Sequence, residues 1–300
     1  MMKALRLSVA LAAIAGAVAW WATETPAVPE SYAVLDGDPE AGRVTFAVAG
    51  CASCHVAPEA EREEGEPPVL AGGQRFETEF GTFVSPNISS SPQGVGEWSD
   101  AELIHAVRAG VSPEGAHYYP AFPYASYAKA SAQDIANLVA YMRTLPGSDA
   151  ESAPHELDFP YSMRRAVGAW KRLYASPDYV LETADTAELM RGRELVEGLG
   201  HCGECHTPRT ALGGLDTERW LGGAENPSGD GRIPNITPGG LDWSEADIAA
   251  YLQSGFTPEF DSAGGEMAEV VRNTAQLSDA DRAAMAAYLK AVPAVSDEGA

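Results

Sequence analysis

Basic residues are scarce: 20 Lys and Arg stand against 43 Asp and Glu, a formal charge of -23 over 300 residues. A surface that acidic repels nucleic acid and anionic headgroups and attracts proteins with basic faces, which disfavours a nucleic-acid role. Cysteine is scarce too. All four, Cys51, Cys54, Cys202 and Cys205, lie in two Cys-x-x-Cys-His motifs, which leaves none for a structural disulfide or a separate reactive thiol. Alternating apolar and polar runs of the strand type are few, so the chain reads as all-α. Outside the two motifs there is no nucleophile beside its base, no phosphate-cradling glycine loop and no paired-carboxylate site.

Long apolar runs are absent except at the start. Lys3 and Arg6 precede an apolar stretch from Leu7 to Trp21, and the chain turns polar at Thr23-Glu24, the charge pattern of an exported segment. Ala15-Gly-Ala17 and Ala17-Val-Ala19 both satisfy the small-x-small cleavage rule, whereas Trp20 and Trp21 stand where an anchor places interfacial aromatics. The stretch is a little short of the roughly 20 residues that span a bilayer. The expectation is an uncleaved anchor on the periplasmic side of a bacterial inner membrane, with a cleaved signal and a soluble periplasmic protein as the alternative.

What the sequence has in abundance is internal repetition. Gly42-Arg43 precedes the first Cys-x-x-Cys-His and Gly192-Arg193 the second; Pro86-Asn87-Ile88-Ser89 matches Pro234-Asn235-Ile236-Thr237; Trp98-Ser99-Asp100 matches Trp243-Ser244-Glu245. Ser99 with Glu102, Ser131 with Asp134, Ser244 with Asp247 and Ser278 with Asp281 predict four helix N-termini. After Ser131, the spacing of Ile135, Leu138, Val139 and Met142 predicts one buried helix face; Met285, Tyr288 and Leu289 predict another. Glu66-Pro67-Pro68 reads as loop. The division is a signal or anchor over 1–30, a first domain over 31–147, a connector over 148–184 and a second domain over 185–300. The connector carries local basic charge, Arg164, Arg165, Lys171 and Arg172, that suits either a solvated face or a contact with a domain or partner.

Haem attachment accounts for every residue of the motif. Two thiols two residues apart can each add to one porphyrin vinyl group while the adjacent imidazole reaches the iron. Zinc would need both motifs to meet in a tetrahedron, and thiol redox chemistry has no use for the histidine. The expected cofactors are therefore two covalently bound haem c, held by Cys51, Cys54 and His55 and by Cys202, Cys205 and His206, with His55 and His206 as iron ligands.

For the sixth ligand of the second haem the candidate is Met267, which follows Gly264-Gly265 and precedes the terminal helix. The offset that leads from Trp243 to Met267 leads from Trp98 to Phe122, which cannot ligate iron. For the first haem the candidates are His117, five residues earlier, then Met142, Met163 or an open site. Two imidazoles there would set the first haem below the methionine-ligated second, and electrons would run from first to second. His105 and His155 are not aimed at either haem by position, and His201 lies too close to Cys202 to be a distal ligand there.

The chain resembles the exported, membrane-associated dihaem cytochromes c that serve as electron-accepting subunits of bacterial alcohol- and aldehyde-type dehydrogenases. The resemblance rests on Phe80-Gly-Thr-Phe-Val-Ser-Pro-Asn-Ile88, Tyr119-Pro-Ala-Phe-Pro-Tyr124, His201-Cys-Gly-Glu-Cys-His-Thr-Pro-Arg209, Ile233-Pro-Asn-Ile-Thr237 and Gly264-Gly-Glu-Met-Ala-Glu-Val-Val-Arg-Asn273. It implies two tandem class I cytochrome c folds and Met267 as a distal ligand. Alcohol dehydrogenase subunits of this type usually have methionine where Phe122 stands, and they commonly carry a third haem domain, for which this sequence has no motif. The general expectation is an electron carrier between a dehydrogenase and a downstream cytochrome or terminal oxidase. The alternative is a dihaem redox enzyme, peroxidase-like or thiosulfate-oxidising, with an exchangeable site at the first haem.

Overall fold

A computed structural model of the chain describes residues 2–60, 65–226 and 231–296. Helix α1 (Met2–Ala22) leads into the first half, built from α2 (Pro39–Val48), α3 (Cys51–His55), the ribbon β1 (Arg75–Thr78) and β2 (Gly81–Val84), then α4 (Asp100–Ala109), α5 (Tyr124–Tyr127) and α6 (Ala132–Met142). Helix α7 (Val167–Tyr174) lies in the connector. The second half repeats the order with α8 (Ala187–Arg193), α9 (Gly203–His206), the short ribbon β3 (Ala224–Glu225) and β4 (Arg232–Ile233), α10 (Glu245–Ser254), α11 (Gly265–Thr274) and α12 (Asp279–Ala291). The fold is thus helical and duplicated. Its two antiparallel ribbons are too short to show as alternation in sequence.

The four serine N-caps form where the sequence places them. Each hydroxyl accepts a backbone N–H three residues on, at Glu102, Asp134, Asp247 and Asp281, and Ser99 and Ser244 complete reciprocal capping boxes. In each half the helix before the Cys-x-x-Cys-His motif crosses the last helix: α2 packs on α6 and α8 on α12. The repeated Gly-Arg marks that crossing. A Cβ on Gly42 would stand 1.8 Å from the Asn137 carbonyl oxygen, and one on Gly192 2.0 Å from that of Ala284, so only glycine lets the helices approach. The predicted helix faces are buried, Ile135, Leu138, Val139 and Met142 on α6 and Met285, Tyr288 and Leu289 on α12, and they join one apolar core running through both halves.

The connector is a structural element. Thr82 and Glu156 exchange backbone hydrogen bonds, at 3.0 and 2.9 Å, so the chain leaving the first half runs back along its ribbon. The Val84 N–H donates to His155 Nδ1, and Asn87 donates to the Ser148 and Ala150 carbonyls. Its basic residues meet the end of α1. Arg172 donates to the Ala22 and Trp21 carbonyls and Arg165 to that of Trp20, while their guanidinium groups lie 4.1 and 3.9 Å from the Trp21 and Trp20 ring centres. The Trp20 and Trp21 carbonyls also accept from the Thr23 and Glu24 N–H groups, and cations there oppose the negative end of the helix dipole. Among the described residues no helix is long and apolar enough to cross a membrane.

Candidate haem sites

The two Cys-x-x-Cys-His turns are built alike. Helix α3 ends in His55, whose Nδ1–H donates to the Pro86 carbonyl at 2.9 Å; α9 ends in His206, whose Nδ1–H donates to the Pro234 carbonyl at 2.8 Å. The repeated Pro-Asn-Ile segments are therefore the orienting partners of the two histidines. Asn87 and Asn235 hold those segments in shape by accepting the Ser89 and Thr237 N–H groups, both at 2.9 Å. With Nδ1 protonated and engaged, Nε2 presents its lone pair, the arrangement a ligating imidazole requires. Burial holds both imidazoles below the usual histidine range and so favours the neutral, ligating form.

The thiols fit haem attachment better than the alternatives. Burial pushes the Cys51 and Cys202 thiols up to about 12. No cysteine is paired in a disulfide, and among the described residues no three His, Cys, Asp or Glu side chains converge as a metal cluster. A tetrahedral zinc site shared by the motifs would need such a convergence. Two thiols and an oriented imidazole on one short turn match the donor set of a haem c.

On the distal side the halves differ. Met267 sits in the first turn of α11, half-buried against the core. Phe122, at the matching register, lies among aromatic rings, 6.1 Å from Tyr118, 6.4 Å from Tyr124 and 5.6 Å from Tyr127 between centroids. His117 is buried, but its Nε2–H donates to the Thr23 carbonyl at 3.1 Å, and Gly168 of α7 packs against the same nitrogen. Ligation through Nε2 would require breaking that bond, whereas Nδ1 is buried without a hydrogen-bond partner. The Thr23 partner, 94 residues away, was invisible to local reasoning. Met142 is buried on α6 and Met163 is half-exposed in the connector. His105 donates to the Pro26 carbonyl and, like His155, stands apart from both motifs.

The attachment turns meet where the halves join. Ser53 accepts from Asn273 of α11 at 3.2 Å, Ser126 donates to Glu204 at 3.2 Å, and His201 Nε2–H donates to the Ala49 carbonyl at 3.3 Å with its ring edge-on to Tyr127. Each distal segment thereby touches the other half's attachment turn. Burial, and after it the Glu266 carboxylate, raises both the Cys54 and the Cys205 thiols.

One residue at this junction escaped the sequence reading. From Gly42 to Cys51 is nine residues, but from Gly192 to Cys202 is ten. The extra residue is accommodated as a π-helical turn, Glu194–Leu199, that continues α8. The turn buries Glu197 completely, where its carboxylate accepts from the Val180 N–H at 2.5 Å, the Leu181 N–H at 3.0 Å and the Tyr288 hydroxyl at 2.8 Å, with Lys129 of the first half 3.7 Å away. Unequal spacing between two copies of a repeat was the available signal.

Comparison with known proteins agrees with this geometry. The cytochrome c family model matches residues 39–146 and again 189–293. The chain is 54% identical, over 98% of its length and all of the relative's, to a "Diheme cytochrome c-type" protein of Cereibacter sphaeroides. It is 37% identical over 86% of its length to a fructose dehydrogenase cytochrome subunit of Gluconobacter japonicus, and 34% identical over 85% to the cytochrome c subunit of a quinone alcohol dehydrogenase of Gluconobacter oxydans. It spans 53% and 55% of those two subunits, about half their length. The chain belongs to the cytochrome c family, as a dihaem protein of two tandem cytochrome c domains that carries electrons.

Proposed function

We propose that this protein lies on the periplasmic side of a bacterial inner membrane, takes electrons from a dehydrogenase and passes them to a downstream cytochrome or terminal oxidase. The observation that carries this reading is the junction of the two halves at their attachment turns, where Ser53 meets Asn273, Ser126 meets Glu204 and His201 meets the Ala49 carbonyl. A junction of that kind lets charge pass between two sites within one chain. The dehydrogenase subunits among its relatives support the donor, and the acidic surface suits a basic partner.

In this reading Cys51, Cys54, Cys202 and Cys205 hold the two haems by thioether bonds, and His55 and His206 are the proximal ligands. The haems supply reversible one-electron chemistry at iron. The Pro86 and Pro234 carbonyls fix the imidazoles, and Met267 would complete the second haem's site and raise its potential. The first site has Phe122 in the methionine's register, so a haem held there would have the lower potential and the second half would be the accepting one. Helix α1 stays attached as the anchor, gripped at its C-terminal end by Arg165 and Arg172.

The mass of the mature protein tests both assignments at once. Two haem groups added to the full chain is the expected result. Fewer than two would refute the attachment sites, and loss of the residues up to Ala17 or Ala19 would refute the retained helix.

Phe122 also favours a second reading, a redox enzyme with an exchangeable position at the first haem. Carbon monoxide uptake by the reduced protein at one haem per chain, with turnover of a small oxidant, distinguishes it from the carrier.

A further inference from the structure

The halves differ most around one loop. The chain between α4 and α5 and the chain between α10 and α11 follow the same backbone, bond for bond. Gly110 and Gly255 are both left-handed, with φ of 61° and 74°, and accept from Tyr118 and Ala263, both at 2.7 Å. The Ser112 N–H donates to Ala116 and the Thr257 N–H to Asp261, both at 2.9 Å; Gly115 donates to Ser112 and Phe260 to Thr257, again at 2.9 Å.

In the first half this loop is covered. Helix α7 lies over it, and Lys171 Nζ donates to the Ala109 and Gly110 carbonyls at 2.6 Å each while sitting 4.2 Å from the centre of the Tyr124 ring. The backbone of Gly168 presses on His117, and Val111 is 2% exposed. The covering segment is basic and apolar together: Arg164, Arg165, Lys171 and Arg172 alternate with Val167, Trp170 and Leu173.

In the second half the same positions are bare. Phe256 replaces Val111 and is 60% exposed; Phe260 replaces Gly115 and is 91% exposed. Phe260 also holds φ at 65°, a conformation that is strained for an L-residue and that the glycine of the first half adopts freely. So exposed a ring gains little from its own chain in return. Glu259 and Asp261, both exposed, flank it on a chain of net charge -23.

We propose that the α10–α11 loop is the docking face for a protein partner that presents a basic surface with apolar stems, seated on the second half as α7 is seated on the first. Its cation takes the Ser254 and Gly255 carbonyls, the counterparts of the two that Lys171 caps. Phe256 and Phe260 supply the apolar contact, and Glu259 and Asp261 supply complementary charge. The loop runs directly into α11, which carries Met267, the residue that the carrier reading gives to the second haem. This inference rests on the carrier reading and identifies the acceptor side of it.

The test is the rate at which the reduced holoprotein passes electrons to a small basic mitochondrial-type cytochrome c at low ionic strength. The double variant Phe256→Val, Phe260→Gly installs the first half's residues in a loop of the same backbone, so folding is retained and both haem spectra should stay unchanged. The expected result is a second-order rate about tenfold lower than wild type, with Glu259→Lys, Asp261→Lys lowering it as well. A double variant with intact spectra and the wild-type rate overturns the proposal. So does a wild-type protein whose haems cycle but never reduce the basic cytochrome. Haems that fail to cycle at all overturn the carrier reading instead.

Discussion

Replacing Phe122 by methionine should raise the potential of the first haem by on the order of 100 mV, a fraction of the ~0.8 V that axial ligands command, and should add a second methionine–iron charge-transfer band. The expectation follows from register. Phe122 and Met267 stand at the same offset from Trp98 and Trp243, each following a loop of identical hydrogen bonding, and His55 and His206 are held by equivalent proline carbonyls. With the proximal sides alike, the distal residue is the difference available to set the two potentials apart. Spectroelectrochemical titration of the variant checks it. An unchanged first haem would mean that this segment does not face the iron, and a shift on His117→Ala instead would return the sixth position to the imidazole.

Removal of the Glu197 carboxylate, in Glu197→Ala, should cost about 3–5 kcal/mol, a large share of the 5–15 kcal/mol that holds a typical domain folded. The side chain has no exposed surface and satisfies two backbone N–H groups of the connector, the Tyr288 hydroxyl and the nearby Lys129 ammonium. Lys129 is itself nearly buried, and burial lowers its affinity for a proton while Glu197 opposes that effect. Alanine would leave three donors without an acceptor and an ammonium without its nearest counter-charge, across the joint where connector, first half and second half meet. Glu197→Gln, which keeps an acceptor oxygen, should lose less. Urea unfolding of the holoproteins reads both, and a loss under ~1 kcal/mol for alanine would show that the carboxylate is not the keystone of the joint.

Much of the fold was legible because its signals are local or repeated. A serine with an acid three residues on is satisfied within one helical turn, and all four such pairs became caps. The duplication supplied the register that sets Phe122 against Met267 without any structure. What was not legible depends on partners far along the chain. His117 meets Thr23, Arg172 meets Trp21, and Glu197 meets Lys129, pairings that no periodicity encodes. The connector, read as a basic stretch of open destination, proved to be the lid of the first half and the clamp on α1 for the same reason. The one missed feature that the sequence did signal is the π-helical turn, written as a ten-residue spacing where its twin has nine.

Two haems bound at these sites would be alike at the proximal histidine and unlike at the distal position. The ferric absorption spectrum of the purified holoprotein tests that difference most directly, through the methionine–iron charge-transfer band measured against total haem. One such band for every two haems is the predicted result. A band for each haem, or none, would contradict it.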